Sequence, residues 1–326
     1  MLLKSFKLWA LMLGVIFIVS CSDDNSNPSK DESLLLVEYL EANGDYVNTS
    51  APAMIEAKDV KALMATPERV HIIDVRNATD FANGHIEGAV NVNIPDALDY
   101  IKTINASSFD KIVVACYSGQ SASYLTALFR MLGYNNAVTL KWGYSSWNQD
   151  FDKWTANVGN SKATQMTTTP SLMPDAGKLP TLTTGKSNGK DILESRAGLL
   201  IAEGYKPASI TADEVFSNLN KYFIVNYWPD NHYMDPGHIP GAINYVPKSD
   251  LKLSAYLKTL PTDKTIVVYC YTGQTSSHVA AYLRLLGYDA KSLSYGANGM
   301  MYDLINGRTG FSTWNSLFIE GYDYVQ

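Results

Sequence analysis

The chain contains two copies of one sequence unit. The segment Gly84–Asn91 (Gly-His-Ile-Glu-Gly-Ala-Val-Asn) recurs at Gly237–Asn244 (Gly-His-Ile-Pro-Gly-Ala-Ile-Asn), an offset of 153 residues. The segment Cys116–Ser121 (Cys-Tyr-Ser-Gly-Gln-Ser) recurs at Cys270–Thr275 (Cys-Tyr-Thr-Gly-Gln-Thr), an offset of 154 residues. Motifs that return at one spacing indicate a duplicated structural unit. We therefore expect two domains of the same fold.

The length of 326 residues also favours two domains, because a single hydrophobic core stops growing near roughly 250 to 300 residues. The stretch between the copies is rich in Thr, Ser, Gly, Lys and Pro, which is typical of a linker. The sequence thus predicts five parts: a signal peptide (1–20), a tether with a helix (21–50), a first domain (51–158), a linker (159–190) and a second domain (191–326).

Each copy carries the pattern of an α/β domain. Short runs of continuous apolar, mostly β-branched residues predict strands that are buried on both faces of a parallel sheet, and apolar residues at three- and four-residue spacing predict a helix between two of them. The predicted strands are 71–75, 111–116, 137–140 and 264–270, and the predicted helices are 121–132 and 275–286. We expect each domain to be a small, doubly wound, mostly parallel sheet flanked by helices.

The N-terminus has the pattern of a signal peptide. Two lysines precede an apolar stretch from Leu8 to Val19, which is too short to cross a bilayer as a helix of about 20 residues. The end of this stretch, Ile18-Val19-Ser20-Cys21, resembles the lipobox of bacterial lipoproteins, in which the cysteine becomes the lipidated first residue. We expect a protein of the bacterial cell envelope that is anchored to a membrane through Cys21, and the cell surface is one of the locations that this anchor allows. A plain secretory peptide is the alternative.

Composition excludes several classes of site. The net charge is -6 and no run of basic residues occurs, so nucleic acid is not an expected partner. The three cysteines, Cys21, Cys116 and Cys270, are far apart in the sequence, and their spacing supports neither a zinc site nor a disulfide framework. We expect no bound metal and no cofactor, and the sequence names no protein partner.

The two remaining cysteines each lie where a predicted strand ends and a helix begins. In open α/β sheets this carboxyl edge is where ligands bind. A compact loop containing Gly119 or Gly273 at positive φ points backbone N–H groups inward, and the helix N-terminus adds positive potential. Such a loop favours an anionic sulfur, so Cys116 and Cys270 are candidate nucleophiles. A single buried cysteine would otherwise be interpreted as a small apolar residue.

The first copy has Asp74 and Arg76 at the end of a strand beside the cysteine strand, whereas the second has Asn226 and Trp228. Either Asp74 and Arg76 pair with each other or with Glu87, or they contact the substrate. In the second case, Arg76 adds a positive charge near the first site, and the two sites prefer different donors.

Together, the Asp-Val-Arg strand end, the Gly-His-Ile-x-Gly-Ala turn, the Cys-x-x-Gly-x-Ser/Thr loop and the Leu-Gly-Tyr helix end resemble the rhodanese (sulfurtransferase) family in its tandem form. The resemblance covers about residues 51–154 and 209–326. It implies transfer of a sulfane sulfur from a small anionic donor, of the thiosulfate or mercaptopyruvate class, through a cysteine persulfide to a thiol or cyanide acceptor. Many tandem members keep the cysteine in one domain only, whereas here both keep it.

By the motif match, the catalytic residues are Cys116 and Cys270. The expected substrate-binding residues are those of the two loops and of the first strand end: Tyr117, Ser118, Gly119, Gln120, Ser121, Tyr271, Thr272, Gly273, Gln274, Thr275, Asp74 and Arg76. Loops that prefer thiosulfate often carry Arg or Lys beside the cysteine, and both loops here are uncharged, so the donor stays open.

Two other functions compete with the enzyme. A binding module could hold sulfur as a carrier or sensor without turnover. A cysteine phosphatase would need an arginine at the end of the loop to clamp phosphate, but Ala122 and Ser276 stand there. His85 and His238 are expected to brace the backbone of their turns, and His278 is expected on an exposed helix face.

Overall fold

The computed structural model of the protein describes residues 31–66 and 69–326, so the predicted signal peptide and Cys21 lie outside the described residues. Within these ranges the chain forms two parallel sheets of five strands each. The predicted fold class, two tandem α/β domains, is confirmed. No helix in the described ranges is long and apolar enough to cross a membrane.

The sheet of the first domain has the order β1-β5-β4-β2-β3, and every neighbouring pair is parallel. Its strands are β1 (Met54–Ile55), β2 (Val70–Asp74), β3 (Val90–Asn91), β4 (Lys111–Ala115) and β5 (Ala137–Leu140). The helices in this half of the chain are α1 (Glu32–Ala42), α2 (Tyr46–Thr49), α3 (Ala57–Leu63), α4 (Ala78–Ala82), α5 (Ala97–Thr103) and α6 (Gln120–Met131).

The second domain repeats this topology with the order β6-β10-β9-β7-β8, again parallel throughout. Its strands are β6 (Ser209–Ile210), β7 (Tyr222–Asn226), β8 (Ile243–Asn244), β9 (Thr265–Tyr269) and β10 (Ala290–Leu293). Its helices are α7 (Gly189–Glu203), α8 (Ala212–Ser217), α9 (Asp230–Met234), α10 (Gln274–Leu285) and α11 (Tyr302–Ile305).

The middle strand of each sheet leads directly to a cysteine. The sequences of β4 and β9 are Lys-Ile-Val-Val-Ala and Thr-Ile-Val-Val-Tyr, and every residue after the first is buried. A parallel strand that is covered on both faces requires such a continuous apolar run. The loop after each strand therefore starts at the centre of the carboxyl edge of its sheet.

The two domains share one hydrophobic core. Helices α6 and α10 pack against each other along the domain interface. Leu125 and Leu128 from the first domain and Val279 and Leu283 from the second belong to one continuous cluster of buried side chains. Each sheet has a further core cluster of its own. The duplicated units are therefore joined through packed apolar surface as well as by the linker.

Each domain also pairs with a segment that follows the other domain in the sequence. Thr167, after the first domain, forms an antiparallel bridge with His238 of the second. Val325, after the second domain, forms the same kind of bridge with His85 of the first. The region predicted as a linker thus lies along the second domain, and the C-terminal segment returns to the first.

Candidate active site

Both cysteines lie in tight loops that connect a central strand to the N-terminus of an interface helix. Cys116 follows β4 and Cys270 follows β9. Gly119 and Gly273 cap α6 and α10 with φ values of 79° and 76°, the positive φ that the sequence predicts. Only glycine adopts this conformation without strain. The thiols are deep in the loops, because Cys116 is 5% and Cys270 is 2% exposed.

One backbone N–H of each loop lies beside the cysteine sulfur. The N–H of Ala122 lies 3.5 Å from the Sγ of Cys116, and the N–H of Ser276 lies 3.3 Å from the Sγ of Cys270. In the described part of the chain, the N–H groups of residues 117–121 have no backbone acceptor. Free N–H groups at a helix N-terminus stabilise a negative charge. The arrangement can therefore hold a thiolate or a persulfide anion.

A second glycine supports each loop, and the sequence reasoning missed it. Gly143 lies so close to the first loop that a Cβ there would come within 2.1 Å of the carbonyl oxygen of Cys116. Gly296 occupies the same place in the second domain, 2.3 Å from the carbonyl oxygen of Cys270 by the same measure. The neighbouring N–H groups of Tyr144 and Ala297 bind these two carbonyls. The recurrence of Gly143 and Gly296 at an offset of 153 was the available signal.

Asp74 and Arg76 form a buried ion pair. The Nη2 of Arg76 lies 2.7 Å from the Oδ2 of Asp74 and also donates to the carbonyl of Gly84 at 2.7 Å. The guanidinium carbon stands 3.6 Å from the ring centroid of Tyr144. Pairing with Asp74, one of the two alternatives from the sequence, is thus observed, and the positive charge of Arg76 is largely compensated inside the protein. Direct contact of either residue with substrate stays a prediction.

The second domain replaces this ion pair with uncharged groups. Trp228 stands where the first copy has Arg76, and its ring stacks on Tyr271 at 5.0 Å between centroids. Asn226 replaces Asp74 and donates to the hydroxyl of Tyr269 at 2.7 Å. The same hydroxyl accepts from the N–H of Ile239, as the hydroxyl of Tyr144 does from the corresponding turn of the first domain. The turn is therefore held in both copies by different side chains.

Within the part of the chain that the structure describes, the charged groups near the first loop have no equivalent beside the second. The Nζ of Lys153 lies 5.2 Å from the ring centroid of Tyr117, the residue after Cys116. Burial and the carboxylate of Asp80 raise the pKa of Tyr117. At the second loop, Tyr271 is surrounded by Trp228 and by other aromatic rings, those of His232 and Phe311. Burial raises the pKa of Tyr271.

The loop glutamines connect the domains. The Oε1 of Gln120 accepts from the N–H of Tyr295, and the Oε1 of Gln274 accepts from the N–H of Trp142. Tyr295 and Trp142 have positive φ values of 58° and 65°, which is uncommon for residues other than glycine. The sequence predicts substrate contacts for both glutamines, but these side-chain oxygens are used in the domain interface.

The hydroxyl residues of the loops are placed differently. The Oγ of Ser118 accepts from the Nε2 of Gln120 at 3.0 Å, and the Oγ1 of Thr272 accepts from the N–H of Gln274 at 3.2 Å. Both hydroxyls thus support their own loops. Ser121 and Thr275 lie half-buried in the first turn of α6 and α10.

The histidines in the repeated turns brace the backbone. The Nδ1 of His85 lies 3.0 Å from the carbonyl of Phe81. His238 is buried, with its two ring nitrogens 2.8 Å and 3.0 Å from the carbonyls of Tyr233 and Thr169. The expectation for His278 was wrong, because this side chain is fully buried at the interface and its Nδ1 lies 3.0 Å from the hydroxyl of Tyr46.

Comparison with known proteins identifies the family. The sequence matches the family model named rhodanese-like domain over residues 56–150 and again over residues 211–302. The chain therefore belongs to the rhodanese-like domain family, with one such domain in each half. The predicted family is confirmed.

Several known proteins are similar to the chain. Thiosulfate sulfurtransferase GlpE of Shewanella oneidensis is 31% identical over 87 residues, which are 26% of this chain and 83% of that protein. A putative thiosulfate sulfurtransferase of Saccharopolyspora erythraea is 27% identical over 306 residues, 82% of this chain and 95% of that protein. Among solved structures, SseA from Escherichia coli, described as a 3-mercaptopyruvate sulfotransferase, is 21% identical with a TM-score of 0.28 and covers 74% of this chain and 97% of its own.

Proposed function

We propose that the protein is a sulfurtransferase in which Cys116 and Cys270 each accept a sulfane sulfur from a small anionic donor. The observation that carries the proposal is the duplicated loop, in which the sulfur of a buried cysteine contacts a backbone N–H at a helix N-terminus. The family membership and the names of the similar proteins support the same reaction class.

The chemical step for a donor such as thiosulfate balances without a cofactor. The cysteine thiolate attacks the outer sulfur of the donor, the S–S bond of thiosulfate breaks, and sulfite leaves with the bonding electron pair. The cysteine then carries a persulfide anion. An acceptor nucleophile, such as cyanide or a thiolate, attacks the outer sulfur and regenerates the cysteine thiolate. The loop N–H groups stabilise the negative charge in both states.

The direct experiment is intact mass spectrometry of the protein after incubation with thiosulfate or 3-mercaptopyruvate, followed by a chase with cyanide. We expect the mass to increase by one sulfur atom per reactive cysteine and to return to its starting value after the chase. A protein that never gains sulfur with either donor contradicts the proposal.

A sulfur carrier or sensor without turnover is the second candidate, and the depth of both thiols favours it. Because Cys116 is only 5% and Cys270 only 2% exposed, a persulfide on either cysteine is shielded from acceptors in bulk solvent. This candidate predicts that sulfur loaded onto the protein stays there in the presence of excess cyanide or small thiols. Sulfurtransferase activity requires that it leaves.

We also propose that lipid on Cys21 holds the protein at a membrane of the cell envelope. The support is the sequence Ile18-Val19-Ser20-Cys21 after an apolar stretch. Stable attachment needs more than one acyl chain, because a single chain binds only marginally. Cys21→Ala should release the protein from the membrane fraction of expressing cells, while Ser22→Ala serves as the control. A native protein found wholly in the soluble fraction without lipid contradicts this proposal.

A further inference from the structure

Behind Cys270 lies a chain of buried hydroxyl groups. The Sγ of Cys270 is 3.5 Å from the Oγ of Ser276, which is 2.7 Å from the Oγ of Ser292. Ser292 is 3.3 Å from the Oγ of Ser277, which is 3.0 Å from the hydroxyl of Tyr205. The three serines are fully buried. This chain of hydroxyl groups ends at the sulfur of Cys270, where its last member can form a hydrogen bond to a negatively charged sulfur.

We infer that Ser276 is a positioning residue that stabilises the thiolate of Cys270 and makes it the more reactive of the two cysteines at neutral pH. The inference rests on the proposed function in one respect only, namely that the sulfur of Cys270 is the reacting atom. The identity of the sulfur donor does not enter it.

The hydrogen bonds of this chain are consistent with both charge states of the sulfur. Ser277 and Ser292 can each donate to the carbonyl of Gly273, at 2.7 Å and 3.1 Å. When the sulfur is a thiol, its proton is donated to Ser276, and the chain ends at that carbonyl. When the sulfur is a thiolate, Ser292 donates to Ser276 and Ser276 donates to the sulfur. Rotation of two hydroxyl groups therefore supplies a donor to the anion without moving the backbone.

Tyr205 stays a donor throughout the working pH range. Burial raises the pKa of Tyr205 to about 12, and the charges of Cys116 and Cys270 act in the same direction. Its hydroxyl can thus donate to Ser277, whose own proton is directed to the carbonyl of Gly273.

The described residues of the first domain do not form such a chain of hydroxyl groups. Ala122 stands where the second domain has Ser276, and it contacts the Sγ of Cys116 only through its backbone N–H, at 3.5 Å. Thr139 occupies the place of Ser292 and bonds with Thr126 at 2.9 Å. Among the described residues, the Oγ of Ser123, which matches Ser277, has no hydrogen-bond partner. The sulfur of Cys116 is therefore without a side-chain donor at the position of Ser276.

A hydrogen bond to a charged group is stronger than one between neutral groups. A larger fraction of thiolate at neutral pH raises the rate of attack. The stabilised thiolate is itself a weaker nucleophile, but this loss offsets only part of the gain, because the Brønsted coefficient is about 0.4–0.5. The net effect of Ser276 is a faster reaction at Cys270 at neutral pH, and this advantage disappears or reverses at high pH.

The test is alkylation of the full-length protein with iodoacetamide between pH 5 and 10, with the rate at each cysteine read from peptide masses. We expect Ser276→Ala to move the midpoint of the pH profile of Cys270 upward by about one unit and to slow its alkylation about threefold at pH 7. At high pH, where both proteins carry the thiolate, the variant should react as fast as the natural protein or up to about threefold faster. The reciprocal variant, Ala122→Ser, should move the profile of Cys116 in the opposite direction.

Two further variants separate this role from packing. Ser276→Thr keeps the hydroxyl and should restore the profile of Cys270, and Ser292→Ala should shift it partway, because it removes only the next donor in the chain. An unchanged profile in Ser276→Ala, or a rate that falls equally at every pH, overturns the inference. Iodoacetamide reacts without a sulfur donor, so a shifted profile in a protein that takes up no sulfur would contradict the proposed function and leave this inference standing.

Discussion

The side-chain oxygen of Gln120 accepts a hydrogen bond from the backbone N–H of Tyr295 in the other domain, at 2.8 Å. The reciprocal bond joins Gln274 to the N–H of Trp142 at 3.0 Å. Each glutamine follows the glycine of its own cysteine loop, and each N–H precedes the glycine that supports the opposite loop. The two sites are therefore coupled through the interface, and an isolated domain would lack part of the support for its loop.

Replacing Gln120 by Met tests this coupling, because Met keeps the length of the side chain and removes the acceptor. A fully buried donor left without an acceptor costs about 1–3 kcal/mol, and the N–H of Tyr295 is partly buried, so we expect the free energy of unfolding to fall by about 1 kcal/mol in urea titrations. Sulfur uptake should slow at Cys270 as well as at Cys116, since Tyr295 adjoins Gly296. The exposed Gln149→Met is the control. An effect confined to Cys116 would show that the loops act independently.

The glycine of the loop should be essential for sulfur uptake. Gly119→Val places a branched side chain at a φ of 79°, and its Cβ would lie 2.5 Å from the Oε1 of Gln274. We expect loss of sulfur uptake at Cys116, measured by peptide mass, in a protein that still folds. Gly133→Val is the matched control, because Gly133 has a φ of 99° at the other end of α6 and no atom near its Cβ position. If both variants take up sulfur equally well, the conformation of the loop at Gly119 is not required for sulfur uptake.

The two sites should differ in their preference for charged donors. Lys153 brings a positive charge near Tyr117 in the first loop, and the second loop is surrounded by aromatic rings. We expect Lys153→Gln to slow sulfur uptake from thiosulfate at Cys116 by about threefold at low salt and less at high salt, as for a solvent-exposed charge. Cys270 should be unaffected. The exposed Lys102→Gln controls for net charge. Equal slowing at both cysteines would contradict a local effect of Lys153.

The buried side chain of His278 should lower the free energy of unfolding as the pH decreases into the mildly acidic range. Burial and the charge of Arg130 lower the pKa of His278 to about 3 from an ordinary value of 6.5. Between these values the unfolded chain binds more protons than the folded protein, so the free energy of unfolding falls as the pH decreases below 6.5. The largest slope for one such group is about 1.4 kcal/mol per pH unit.

We therefore expect urea midpoints to drop between pH 7 and 5 in the natural protein and to drop less in His278→Gln. The Gln amide can still bond to the hydroxyl of Tyr46, which limits the loss of stability at pH 7. Identical pH slopes in the two proteins would show that another group is responsible.

The parts of the structure that were predictable from the sequence are those encoded by local patterns within each copy. The runs that form β4 and β9 and the apolar faces of α6 and α10 are local patterns, and their predicted limits differ from the observed ones by one residue. The positive φ of Gly119 and Gly273 follows from the same loop chemistry.

Contacts between the copies were not predictable, because no pattern within one copy encodes them. The sequence predicts Gln120 as a substrate-binding residue, which stays a prediction, but it gives no sign of the hydrogen bond to Tyr295 in the other half of the chain. His278 was placed on an exposed face because the packing of α10 on α6 and on Tyr46 is not visible in a helix pattern. The role of Ser276 depends on Ser292, which reaches it only through the fold of the sheet.

The most direct test of the central claim, that sulfur passes through the two cysteines, is formation of thiocyanate from thiosulfate and cyanide. The assay compares the natural protein with Cys116→Ser, Cys270→Ser and the double variant, all with matching unfolding midpoints. We expect both single variants to keep part of the activity, with more left in Cys116→Ser, and the double variant to have none. Thiocyanate formation by the double variant at the natural rate would contradict the account.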